Sequence, residues 1–144
     1  MKLSRRDQTG QALIETILIG LLLLAPLLWV LSVLADVHRS ALASTAAARE
    51  AGRNAAAAAG VVGARDAVNS AVRQAFIDHG LDPGPARVQW TSSHGLERGG
   101  SVEVEVSYPV TVLSVPFLGR VGGPSIYVRA RHIARVGPYR SRAP

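Results

Sequence analysis

The stretch GQALIETILIGLLLLAPLLWVLSVLADV, Gly10–Val37, decides how the rest of the chain is read. From Ala12 to Ala35 its only polar side chains are Glu15, Thr16 and Ser32, and about 20 such residues, rising about 1.5 Å each, already cross a hydrocarbon core. The pattern predicts a membrane-spanning helix over residues 11–37. Lys2, Arg5 and Arg6 precede it with only Asp7 against them, and flanks held in the cytoplasm carry the excess of basic residues. That asymmetry predicts a single-pass cell-membrane protein with a cytoplasmic N-terminus and everything after Val37 outside. Pro26 lies in mid-span, where its missing N–H predicts a kink that neighbouring helices can cover. Trp29 reads as a packing or lipid-facing aromatic.

Glu15 does not fit a plain anchor. A carboxylate at the centre of a membrane helix costs roughly 2.5 to 3.5 kcal/mol and is by default a functional residue whose partner has to be named. It stands five positions after Gly10, behind the basic head. That arrangement resembles the type IV prepilin processing site, and the wording RRDQTGQALIE followed by a long apolar run resembles the TadE-type pseudopilins, or minor pilins, of the tight-adherence (Flp) pilus system. The resemblance implies that a prepilin peptidase cuts between Gly10 and Gln11, which makes residues 1–10 a cytoplasmic leader. It also implies that Glu15, residue five of the mature chain, serves assembly by pairing with the new terminal amine of a neighbouring pilin or pseudopilin subunit. Electrostatics is consistent with that role, because a buried acid and a buried ammonium each cost several kcal/mol alone and are tolerable together.

Two other readings compete. A secretory signal peptide also begins basic and apolar, and Ala35 or Ala43 closes a small-residue pattern, but signal h-regions run about 7 to 15 residues and this one is longer. A plain uncleaved anchor would leave Glu15 near the interface. Neither accounts for the spacing of the acid from the glycine.

Beyond the span, the 144-residue chain keeps enough length for one compact domain. It contains no cysteine, which excludes disulfides, thiolate nucleophiles and cysteine-based zinc or iron–sulfur sites. The formal charge is +6; the leader holds Lys2, Arg5 and Arg6 against Asp7, so +4 remains on the mature chain. A modest basic surface suits membrane lipid or wall polymers and gives no reason to expect nucleic acid.

The alanine-rich segment 38–63 has high helix propensity but few large apolar side chains. It is expected to continue the membrane helix outward as a helical stalk, either solvated or in contact with other subunits through Ala46, Ala47, Ala51 and Ala55. Gly60 and Gly63 predict a break. Residues 64–136 are expected to form an extracytoplasmic α+β domain. In it, Val68, Val72, Ala75 and Phe76 make the apolar stripe of a second, amphipathic helix over 64–79, which Gly80 and the turn LDPGP end.

The period then changes to two. Strands are predicted over Ala86–Thr91, Ser101–Val112 and Ser125–Val136, with Val102, Val104 and Val106 inward against Glu103, Glu105 and Ser107. SSHGLERGG and VPFLGRVGGP connect them, and Pro109 predicts a bend or an edge position. The tail 137–144 is expected to be disordered. The fold class is therefore α+β: a long N-terminal transmembrane helix, a second helix and a small antiparallel sheet of about three strands, as in pilin-like subunits.

Few residues invite chemistry. His38, His79, His94 and His132 are scattered without an i, i+4 pair, so no metal ligand set and no cofactor is expected. Ser92 and Ser93 beside His94 lack an orienting acid and an oxyanion hole. Glu103 and Glu105 share a strand face, with Arg129 and Arg131 at the same spacing on the last strand, which predicts cross-strand ion pairs. The expectation is a non-enzymatic, pilin-like structural protein in assembly of a pilus or related secretion apparatus. The alternative is a membrane-anchored extracytoplasmic binding domain without leader processing; a hydrolase built on Glu103, Glu105 or the Ser93–His94 loop ranks third.

Overall fold

The computed structural model describes residues 6–112 and 123–137, with side chains from Gln11 onward. Residues 1–5 of the expected leader, 113–122 of the expected loop and 138–144 of the expected tail lie outside them. The elements are α1 (Arg6–Ala57), α2 (Val61–Asp78), β1 (Arg87–Ser93), β2 (Ser101–Thr111) and β3 (Ser125–Arg135), an α+β chain. It divides into two compact units, one ending at Ala35 and one beginning at Asp36, each described by itself.

In the first unit the apolar run is helical throughout, and α1 continues past Pro26. Every side chain from Gln11 to Ser32 is exposed, including Leu22 at 72% and Leu23 at 68%. So much contiguous apolar surface is not left in water by a soluble protein, and among the described residues this is the helix long and apolar enough to cross a membrane. Thr16 adds little cost there, since its hydroxyl donates to the Ala12 carbonyl at 2.8 Å within the helix.

The second unit holds the core, and here the alanine-rich segment departs from expectation. Ala43, Ala47, Ala51 and Ala55 are fully buried in one cluster with the valines of β2, and Ser44 is fully buried too; of the four alanines expected in a contact only Ala46 is half-buried. The segment is not a solvated stalk. Ser40, Ala43, Ser44, Ala47, Ala48, Ala51, Gly52, Ala55 and Ala56 recur at i, i+3, i+4 and i+7, an amphipathic stripe written in small residues. Small side chains bring the helix backbone close to the sheet. A Cβ on Gly52 would lie 3.1 Å from His132 Cδ2 and 3.4 Å from Ala134 Cβ. The expected subunit contact is thus occupied by the chain's own sheet.

α1 ends at Ala57 and α2 starts at Val61, three residues ahead of the expected Ala64, so the glycine-flagged break falls at 58–60. α2 buries Ala64, Val68, Ala71, Val72, Ala75 and Phe76, the expected stripe. Its end follows from Gly80 at φ +68, a conformation that L side chains avoid. There Leu81 N–H reaches the Phe76 carbonyl and Gly80 N–H the Ile77 carbonyl, both at 2.9 Å, which is the Schellman arrangement.

The three strands pair antiparallel in the order β1-β2-β3. Trp90 lies opposite Val104 and Val104 opposite His132. On β2 the alternation is complete: Val102, Val104, Val106, Tyr108 and Val110 are buried, while Glu103, Glu105 and Ser107 are half-exposed on the other face. Pro109 produces no interruption of β2; it pairs with Tyr127 of β3 beyond the last β1 partner, Arg87 opposite Ser107. The ladder there is two-stranded, where a missing N–H is tolerated.

Phe76 of α2 stacks on Tyr108 of β2 with ring centroids 4.7 Å apart and planes at 21°. The Tyr108 hydroxyl donates to the Asp82 carbonyl at 3.1 Å, tying the turn after α2 to the sheet. Strand β1 extends through Ser92 and Ser93, which were expected in the connection. The hairpin is held by Ser101 N–H to Ser93 Oγ at 3.1 Å and by Gly100 N–H to the Glu97 carbonyl at 3.0 Å. Only glycine fits at Gly100, because a Cβ would meet the Ser93 carbonyl oxygen at 2.8 Å.

Candidate functional site

The expected processing and assembly residues all stand on the first turns of α1. The helix begins at Arg6, so the Gly10–Gln11 bond lies inside it and not ahead of it, as the span 11–37 had implied. Glycine weakens a helix by about 1 kcal/mol against alanine. Gly10 is thus a point at which a helix end is easily opened.

Glu15 is exposed, one turn beyond Gln11 and on the same face. Helical side chains lean toward the N-terminus, so its carboxylate is aimed at the turn that starts with Gln11. Among the described residues no hydrogen bond or ion pair engages it. The carboxylate stands among the exposed apolar side chains of Leu13, Ile14, Ile17 and Leu18.

The remaining polar groups do structural work. Arg131 holds Glu103 through two contacts, Nε to Oε1 at 2.5 Å and a second guanidinium nitrogen to Oε2 at 2.6 Å. That hydrogen bond, and then the carboxylate charge, raise the Arg131 pKa above its ordinary value. The expected cross-strand pairing is therefore diagonal, since the register sets Arg131 opposite Glu105 and Ile133 opposite Glu103. The Arg87 guanidinium lies 5.9 Å from the Tyr127 ring centre on the same outer face.

Ser93 Oγ is engaged with Ser101 Oγ at 2.8 Å, and His94 sits in the turn at φ 60, so the Ser93–His94 pair shows no nucleophile–base geometry. His79 Nδ1 lies 2.8 Å from the Ala75 carbonyl and closes α2. No group of three or more His, Cys, Asp or Glu side chains is gathered as a metal site among the described residues.

A feature that sequence reading missed is an open cavity of about 600 Å³ between the end of α1 and β3, where Arg53, His132 and Arg135 converge over Ala56, Ala57 and Ala134. Arg53 and His132 are far apart in sequence and share no motif, so no local signal announces the cavity. Arg53 is also paired with Glu50 at 2.7 Å on the helix surface, both side chains well exposed. Comparison with known proteins returns no matching family model, no matching curated protein and no matching solved structure.

Proposed function

We propose that this chain is a non-enzymatic, type IV prepilin-like subunit, similar to the TadE-type pseudopilins, that acts in assembly of a tight-adherence pilus or a related secretion apparatus. The observation that carries the reading is an exposed apolar run, Gln11–Ser32, in a helix that bears Gly10 and then Glu15 on its first turns and precedes a small antiparallel sheet in the chain. In this reading the basic head stays in the cytoplasm, a prepilin peptidase removes residues 1–10, and the domain from Asp36 onward lies outside. Glu15 then draws a neighbouring subunit's ammonium into register, because an unpaired carboxylate in the membrane is costly and the pair is tolerable.

Gly10→Val separates this reading from an uncleaved anchor. The wild-type chain, expressed with its prepilin peptidase, should begin at Gln11 when sequenced, and the variant should remain at precursor length. Glu15→Ala should still insert in the membrane yet fail to co-purify with partner pilins. A mature terminus at Asp36 or Ser44 would instead mark a secretory signal and end the proposal.

A further inference from the structure

We infer that the outer face of the sheet, at the end where β1 begins, binds a phosphate group between Arg87 and Arg129 and over the Ser107 hydroxyl. The inference does not depend on processing at Gly10. The register sets Ser107 of β2 opposite Arg87 of β1 and opposite Arg129 of β3, so the three stand in one row on one face. Neighbouring strands lie about 4.8 Å apart, which brings the two arginine backbones within about 10 Å of each other with a hydroxyl between them. Both arginines are exposed and Ser107 is half-exposed.

Arg87 does not point where a structural ion pair would take it. The carboxylate within diagonal reach is Glu105, one row along β2 and opposite Gln89. The guanidinium lies instead over the Tyr127 ring, 5.9 Å from its centre. Tyr127 is opposite Pro109, on the two-stranded end of the ladder beyond Arg87. The Arg87 side chain therefore crosses β2 away from Glu105 and reaches β3, where Arg129 stands two residues from Tyr127 on the same face. The fold turns one guanidinium toward the strand that carries another.

The acids of this face do not answer the pair. Arg131 holds Glu103 through two contacts, and its pKa is raised first by the Glu103 hydrogen bond and charge and then by the charge of Glu105, which stands opposite it. Arg87, Arg129 and Arg131 thus meet only Glu103 and Glu105, which leaves one positive charge over. Neither the Arg87 nor the Arg129 guanidinium makes a hydrogen bond or ion pair among the described residues. Residues 113–122 and 138–144 contain no aspartate or glutamate, so they supply no acidic side chain either. An oxyanion from outside fits this vacancy of charge. The planar fork of arginine matches phosphate and carboxylate alike, but two guanidinia approaching from opposite sides, with a hydroxyl beneath, address more than two acceptor oxygens. Phosphate has them and carboxylate does not.

The test follows the arginine Nε–Hε signals of the full chain in dodecyl maltoside micelles by nuclear magnetic resonance, at neutral pH and constant ionic strength. Inorganic phosphate should move the Arg87 and Arg129 signals together along one saturable curve and leave those of Arg65 and Arg73, exposed on α2, in place. Acetate should bind at least fivefold more weakly. Arg87→Gln should weaken the response at Arg129 at least fivefold, and Glu105→Gln, which removes the competing acid, should tighten it. Arg129→Lys keeps the charge and loses the fork, so it should weaken phosphate at least threefold. Two sources can supply the group, sn-glycerol 3-phosphate in solution or phosphatidylglycerol added to the micelles, and the one that moves both signals at the lower concentration names the source. No saturable movement at Arg87 and Arg129 would overturn the inference. Equal movement at Arg65 and Arg73, or an Arg129→Lys variant as good as the wild type, would do so by showing attraction through net charge alone. Acetate as effective as phosphate would do so by assigning the site to a carboxylate.

Discussion

The two parts of α1 handle their surfaces in opposite ways. Up to Ala35 the helix is built of leucine, isoleucine and valine, and these large apolar side chains are exposed. From Asp36 to Ala57 it is built of alanine, serine and glycine, and one face of these small residues is sealed. Burial here does not follow the hydrophobicity of the residue. The first part carries enough apolar surface on every side to need a lipid solvent, whereas the second lets a backbone approach a sheet closely enough that alanine methyl groups and valine side chains fill the gap. Packing density, and not transfer energy per residue, governs the second part.

If that contrast is right, the largest effect comes from removing the second part. A fragment starting at Asp36 should melt cooperatively in water, and one starting at Ala64 should show no cooperative transition by circular dichroism, because the face of β2 and β3 that met Ala47, Ala51 and Ala55 is uncovered. Equal melting of the two fragments would restore the stalk.

The next effect is Phe76→Ala, which removes a fully buried ring stacked on Tyr108. It should cost about 3 to 5 kcal/mol in denaturant unfolding, a large share of the roughly 5 to 15 kcal/mol of an ordinary domain. A smaller and more diagnostic pair sets one part of α1 against the other. Ala47→Leu enlarges a residue with no exposed surface and should destabilise the domain by about 1 to 3 kcal/mol through overpacking. Leu22→Ala shrinks an exposed residue of the apolar run and should leave the domain's unfolding midpoint where it was. A shift from Leu22→Ala as large as that from Ala47→Leu would dissolve the distinction.

The smallest effect carries the opposite sign. Ser44 Oγ is fully buried and has no hydrogen-bond partner among the described residues, and an unsatisfied buried hydroxyl costs about 1 to 3 kcal/mol. Ser44→Ala should therefore raise the melting temperature slightly. A decrease would mean that the hydroxyl has a partner and that the helix face is polar at this point.

Much of the fold is legible in the sequence, and for one reason: periodic burial leaves a periodic pattern. The Val68, Val72, Phe76 stripe, the Val102, Val104, Val106 alternation and the uninterrupted apolar run each state their own environment, because a large apolar side chain has one favourable place. The Gly10, Gln11 and Glu15 arrangement is equally local and could be read without a fold.

The alanine face was not legible by the same means. Moving a single methyl group between water and protein changes little free energy, about 0.8 kcal/mol per buried carbon, so an alanine-rich helix is compatible with solvent, another subunit or its own sheet. Tertiary structure chose the sheet, through the close approach at Gly52 that spacing alone does not reveal. Long-range register made the other decisions: it set Tyr108 under Phe76, turned the Glu103–Arg131 pair diagonal and brought Arg53 beside His132 and Arg135. Those residues are distant in the chain, and only the packing of α1 on β3 makes them neighbours.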